Sequence, residues 1–206
     1  GTLATTGNAT FSGDIIKSTS GTSNFAAGVN AGNSIASGGN YNTVVGDEAG
    51  TALTTGDKNV AIGFEALSTE DAHGQNVAIG YRALKNQNTN SGDGFNVAVG
   101  LDSGLAITTG STNSLLGTFS GTAITDGSRN TAVGYYALAT NTSGNRNVAV
   151  GRNALGTLNH STSTDAHNIG VGENAGVSLT TGIQNTIVGG LAADALTDAD
   201  YNVALG

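Results

Sequence analysis

The sequence contains no cysteine, proline, methionine or tryptophan, and only 11% of its 206 residues are charged. Without cysteine there is no disulfide staple and no thiol chemistry. Without an apolar run of 18 residues there is no membrane-spanning helix to find. Aromatic residues are 5% of the chain and the apolar residues are mostly Ala and Val, so one thick globular core is hard to build. The low charge equally disfavours a disordered chain, which needs high net charge and few β-branched residues. Lys and Arg total 7 against 15 Asp and Glu, a net charge of −8. That balance weighs against binding nucleic acid or anionic membranes, both of which call for basic clusters. The chain opens on Gly1 and closes on Gly206 inside a repeat, and reads as a portion of something longer.

What is abundant is glycine, 33 residues of it, and it is periodic. The pattern Asn-x-x-x-Gly recurs with its Asn at 24, 42, 59, 76, 96, 113, 130, 147, 168, 185 and 202. Seven of the ten spacings are 17 residues and the others are 18, 20 and 21. Internal repetition of this kind decides the architecture before any local propensity does. With the Asn as position 1, position 5 is Gly in every unit, position 4 is aliphatic, and position 2 is mostly β-branched, as in Thr43, Val60, Val77 and Val148. Positions 1 to 5 therefore read as a short strand ended by Gly, where positive φ or close backbone approach is required.

Positions 9 and 12 compensate one another. Where position 9 is Gly (32, 50, 104, 121, 176), position 12 is a large aliphatic: Ile35, Leu53, Ile107, Ile124 and Leu179. Where position 9 is Leu67, Leu84 or Leu138, position 12 is Glu70, Gln87 or Asn141; the Leu155 unit departs from this with Leu158. A narrow interior of fixed volume explains the exchange, since overfilling a packed layer costs roughly 1–3 kcal/mol. A 17-residue unit is too short for a helical pair and matches one coil of a parallel β-solenoid, with two short strands and two turns. About ten such coils, stacked at about 4.8 Å, make a rod of roughly 50 Å. The expected fold is thus all-β, with a lead-in segment over 1–23 and the solenoid over 24–206. Asn42, Asn59, Asn76, Asn96, Asn113, Asn130, Asn147, Asn168, Asn185 and Asn202 are expected to stack as a ladder, each amide bonding the next.

Alternation along the strand puts positions 2 and 4 on one face and position 3 on the other. Positions 2 and 4 read as core. Position 3, running from Ala26 through Val44, Leu115 and Ile187 to Ala204, contains no polar residue. A strand apolar on both faces is usually buried on both. The expectation is that position 3 packs against another copy of the chain, giving a homo-oligomer.

The units NTAVGYYAL (130–138), NVAIGYRAL (76–84) and NVAVGRNAL (147–155) resemble the NTAVGYxAL repeats of phage tail-fibre and related fibre proteins. They are similar, more loosely, to the head repeats of trimeric autotransporter adhesins. The opening GTLATTGNATFSGDI (1–15) resembles lead-in segments of phage fibres. The resemblance implies a homotrimeric shaft, extracellular or virion-borne, that carries or forms a host-recognition device.

Catalytic patterns are poor. GxSxG, HExxH, CxxC and the P-loop are all absent, and GVGENAG (170–176) is the repeat unit rather than a nucleotide loop. Glu48 and Glu65 differ by one coil position and make a weak glycosidase couple. Asp194, Asp198 and Asp200 lack the calcium nonapeptide pattern, and paired threonines recur in too few coils for an ice-binding face. The expectation is a non-catalytic protein without cofactor or metal. Its candidate ligand loops are the two insertions, 85–95 with Asn88, Asn90, Asp93 and Phe95, and 156–167 with His160, Asp165 and His167. Loops on a rigid scaffold are where recognition sits, and polar side chains beside an aromatic suit a surface glycan. The principal expectation is a fibre segment that spaces and presents a recognition tip; the alternative is an adhesin gripping glycans through these loops.

Overall fold

A computed structural model of the chain describes residues 19–89 and 92–206. Thirteen strands follow one another along it: β1 (Phe25–Ala27), β2 (Thr43–Val45), β3 (Val60–Ile62), β4 (Val77–Ile79), β5 (Val97–Val99), β6 (Ser114–Leu116), β7 (Thr131–Val133), β8 (Gly144–Asn145), β9 (Val148–Val150), β10 (Thr164–Asp165), β11 (Ile169–Val171), β12 (Thr186–Val188) and β13 (Val203–Leu205). Eleven of them form one parallel sheet in the order β1-β2-β3-β4-β5-β6-β7-β9-β11-β12-β13, and β8 pairs with β10 in a small second one. Register runs position on position: Val60 faces Val77, Ala61 faces Ala78 and Ile62 faces Ile79. The fold is the predicted all-β parallel solenoid, and no helix occurs among the described residues. The predicted lead-in lies outside them up to residue 18.

The two faces of the main strand are the reverse of the sequence expectation. Position 3 is the core: Val44, Ala61, Ala78, Ala98, Ala132, Ala149 and Ile187 have no exposed surface. Positions 2 and 4 point outward, with Leu116 51% and Val188 37% exposed. The physical reason is width. Most coils leave room beside the strand for a methyl group, which Ala supplies; the larger Val44, Leu115 and Ile187 fit where position 9 is Gly50, Gly104, Gly121 or Gly176. The argument that position 3 covers a second copy therefore fails.

A second correction concerns the far side of each coil, where a second continuous strand was expected. Among the described residues only β8 and β10 add a second strand, and they lie just ahead of the ladder Asn rather than on this side. Position 7 holds a left-handed backbone in every coil, as in Glu65 (φ 52), Arg82 (φ 53) and Tyr136 (φ 57), and position 9 does so whether it is Gly50 (φ 54) or Leu67 (φ 51). Two left-handed residues within three positions break the extended backbone a strand needs. Coils remain joined on this side by single hydrogen bonds, such as Gly50 N–H to the Ala66 carbonyl (2.9 Å) and Leu67 N–H to the Ala83 carbonyl (3.0 Å).

Glycine at position 5 is required twice over. Gly63 has φ +130, and a Cβ there would lie 2.3 Å from the Gly80 carbonyl oxygen of the next coil. The interior volume exchange also holds. Leu67, Leu84, Leu138 and Leu155 are fully buried from position 9, and Leu53, Ile107, Ile124 and Leu179 from position 12. The Leu155 unit, which buries Leu158 as well, takes its extra space from the neighbouring coil. Gly170 stands at position 3 there, and a Cβ on it would meet Leu155 Cγ at 2.7 Å.

Candidate functional site

The Asn ladder forms, and it binds backbone more than side chain. In each step the Asn Oδ1 accepts the backbone N–H of the next Asn: Asn42 onto Asn24 (2.8 Å), Asn113 onto Asn96 (2.8 Å), Asn185 onto Asn168 (3.0 Å). The Asn Nδ2 donates to the previous Oδ1 in several steps, as Asn130 does to Asn113 (3.2 Å). It also donates to a carbonyl fourteen residues on, as Asn42 does to Gly56 (2.9 Å) and Asn113 to Gly127 (2.9 Å). Asn59, Asn76, Asn96, Asn147 and Asn168 have no exposed surface, Asn130 is buried too, and Asn202 is partly exposed at the last strand. A buried amide this fully bonded closes each coil and fixes the next one above it.

Polar position-12 residues of the Leu coils are buried as well, which sequence reading missed. Gln87 donates to Asn76 Oδ1 (2.9 Å) and accepts from Asn96 Nδ2 (3.0 Å), so it bridges the 20-residue unit where the ladder is stretched. Asn141 folds onto Gly144 through both its amide atoms (2.8 and 3.1 Å). Glu70 has no exposed surface, and burial pushes its carboxyl above the ordinary range against hydrogen bonds from the backbone of His73 and Thr89. The signal for this was present in the compensation rule, since a polar residue replacing a buried Leu sits in the same layer.

The candidate ligand loops are largely committed to the stack. Phe95 and His167 occupy the left-handed position before the ladder Asn, the place held by Tyr41 and Lys58 in other coils. Asp93 accepts the Gly74 backbone N–H (2.9 Å) and the Gln75 side-chain amide. Asn88 is half-buried and its backbone N–H donates to the Thr108 carbonyl (3.0 Å). Asn90 lies outside the described residues. His160, expected in a solvated turn, is 7% exposed with no hydrogen bond to its Nε2; burial lowers its pKa, opposed by the charge of Asp200. Asp165 is exposed and pairs with Arg146 (3.1 Å), so these two histidines and Asp165 do not converge. Among the described residues, the one group of histidine and carboxylates whose ligand atoms converge is Glu70, Asp71 and His73.

Two surfaces stand out. The outward face of the main sheet carries no charge through all eleven strands; it is aliphatic at position 4, while position 2 mixes Val and Ile with Thr43, Ser114, Thr131 and Thr186. It carries Val45, Ile62, Ile79, Val99, Leu116, Val133, Val150, Val171, Val188 and Leu205 at position 4 alone. Round the corner lies a cluster of rings: Phe64 stacks on Tyr81 (5.4 Å), and Phe119, Tyr135 and Tyr136 meet edge to face or tilted at 4.5–6.2 Å. Tyr136 flanks a groove of about 420 Å³ floored by Ala139 and Gly156 and walled by Thr140, Asn153 and Thr157. Gly156 and Thr157 open the second insertion and bring it to this cleft. No family model matches the chain, and no curated protein or solved structure matches it significantly.

Proposed function

We propose that the chain is a non-catalytic structural segment of an extracellular or virion-borne fibre, self-associated along its main sheet, that spaces and presents a surface-recognition device. The observation that carries this reading is the outward sheet face. Parallel sheets are covered on both faces, and a charge-free surface with an aliphatic row at position 4, broken at position 2 only by Thr43, Ser114, Thr131 and Thr186, is a large apolar stripe to leave in water. A cover of equal length must repeat at the same rise per coil, and a second copy of this chain has that pitch. The likeness of its NTAVGYYAL units to fibre repeats supports three copies about one axis. Small-angle X-ray scattering tests it: the wild-type rod has a cross-section wider than one coil, and the doubly charged variant Leu116→Arg/Val188→Arg falls to single-coil width. A wild-type cross-section of one coil would sink the proposal.

The groove beside Tyr136 favours a second reading, in which the shaft itself grips a glycan. Tyr136 offers a ring face, and Asn153, Thr140 and Thr157 offer oxygen acceptors for sugar hydroxyls, the combination that orients ligands in mostly apolar clefts. The insertion loops would contribute only through Gly156 and Thr157. On a glycan array, binding lost in Tyr136→Ala supports this reading, and an array without any retained sugar removes it.

A further inference from the structure

One coil gathers three titratable residues within a single turn. At position 13 most coils carry Thr54, Thr108, Thr125, Thr142, Thr180 or Thr197 and three carry Ala36, Asn88 or Asn159, while the coil of Asn59 carries Asp71. At position 15 most carry Gly and three carry Asn90, Ser161 or Ala199, while this coil carries His73. At position 12 it places Glu70, the only carboxylate in that layer. Stacking needs none of these changes, because the His73 carbonyl still accepts from Asn59 Nδ2 (3.3 Å) as the glycine carbonyls do.

From this substitution pattern and the geometry it creates, we propose that Glu70, Asp71 and His73 bind a divalent first-row transition-metal ion of the zinc class. Their three ligand atoms lie within 4.8 Å of one another. The His73 Nδ1 is sealed from solvent and makes no hydrogen bond. It stands 3.7 Å from Glu70 Oε1. That gap is too long for an N–H···O bond. Two ligands each about 2.1 Å from one tetrahedral ion stand about 3.4 Å apart, so His73 and Glu70 close by a few tenths of an ångström, and the exposed Asp71 side chain rotates to take up the rest of the span. The Glu70 side chain is completely buried and no Lys or Arg bonds to it; its Oε1 accepts the His73 backbone N–H (3.2 Å), and a cation would balance the charge of the ionised carboxylate. Asp71 is exposed and brings the third oxygen from the solvent side, leaving room for water in the remaining position. An imidazole ligand selects zinc-like ions over calcium and magnesium, which prefer oxygen alone. The outer shell is in place: Ala72 N–H donates to Asp71 Oδ1 (2.6 Å), and Gln87 of the next coil approaches Glu70 Oε2 (3.4 Å). The ion would pin the turn at 70–73, against which Gln87 of the next coil packs, and raise stability by binding the folded chain alone.

The test uses the whole 206-residue chain, stripped with a chelator and titrated with zinc chloride by calorimetry, with thermal unfolding alongside. One ion per chain and a Tm that climbs with zinc are expected. Asp71→Asn, an exposed change that leaves the fold intact, weakens binding by roughly tenfold or more, the scale of a disturbed metal site. His73→Gln abolishes it, whereas His160→Gln and His167→Gln leave it unchanged. Histidine ring signals in NMR shift at His73 alone. The proposal is overturned if zinc gives neither saturable heat nor a Tm rise, which would leave His73 and Glu70 as a plain ion pair. It is equally overturned if binding survives both Asp71→Asn and His73→Gln, or if calcium binds as tightly as zinc.

Discussion

At the scale of single residues, the coil is shaped by left-handed backbone. Four places recur around it: the residue before the ladder Asn, the Gly at 5, position 7, and position 9. Only position 5 is closed to side chains, because the next coil's carbonyl stands where a Cβ would go. Gly63→Ala adds backbone strain to a backbone clash, and the expected loss is about 3 kcal/mol or more in urea unfolding. Gly92→Ala has φ +84 but no atom within 4 Å of the added Cβ. Its loss is held to about 1 kcal/mol, the left-handed penalty alone. Equal losses at the two sites would show that contact with the next coil is irrelevant. His160 supplies a pH dependence of known sign. Its folded pKa is depressed from 6.5 by burial. Stability from the neutral ring is therefore complete above about pH 6.5 and declines as pH falls toward the folded value. The urea midpoint of wild type drops over that window more steeply than that of His160→Gln; identical slopes would contradict this account of the ring.

Among elements, each coil is a layer of fixed volume, and neighbouring layers share it. Gly170 has an ordinary backbone angle, so Gly170→Ala tests space alone. The added methyl meets Leu155 Cγ and should cost about 1–3 kcal/mol. In a Leu155→Ala background the same change should cost nothing, and a double-mutant cycle without coupling would reject shared packing. This layer logic was readable in the sequence from the exchange between positions 9 and 12, as were the Asn ladder and the position-5 Gly. Which strand face turns inward was not readable, because both faces are apolar and alternation assigns no direction. Size was the signal that discriminated: the near-uniform Ala of position 3 suits a coil interior better than the Val and Ile of positions 2 and 4. The Glu70, Asp71 and His73 cluster was invisible for another reason. Glu70 was legible only as the polar partner of Leu67 in the layer, and only the folded turn brings Asp71 and the sealed His73 Nδ1 beside it. In the insertion loops the sequence did not show that Asp93 bonds to the Gly74 and Gln75 of the neighbouring coil, or that Phe95 and His167 take the left-handed place before the ladder Asn with their side chains exposed.

For the whole molecule, stability is a sum of layer terms and contacts between adjacent coils, as in other solenoids. Ion pairs reinforce the stretched steps: Arg82 with Asp102 (2.6 Å) spans the 20-residue unit and Arg152 with Glu173 (2.8 Å) the 21-residue one. The exposed Arg152 pair fixes alignment more than it adds energy, whereas the Arg82 pair is half-buried, with Asp102 inside. What distinguishes the rod is the sheet face on which no charge appears, while the charged residues gather at the corners. The reversal of the strand does not remove the case for self-association; it moves that case from position 3 to positions 2 and 4. Sedimentation equilibrium of the purified chain tests this claim most directly. The account predicts an integral multiple of the 20.2 kDa chain mass, reduced to that mass in Leu116→Arg/Val188→Arg. A wild-type mass of 20.2 kDa across the accessible concentration range would contradict it.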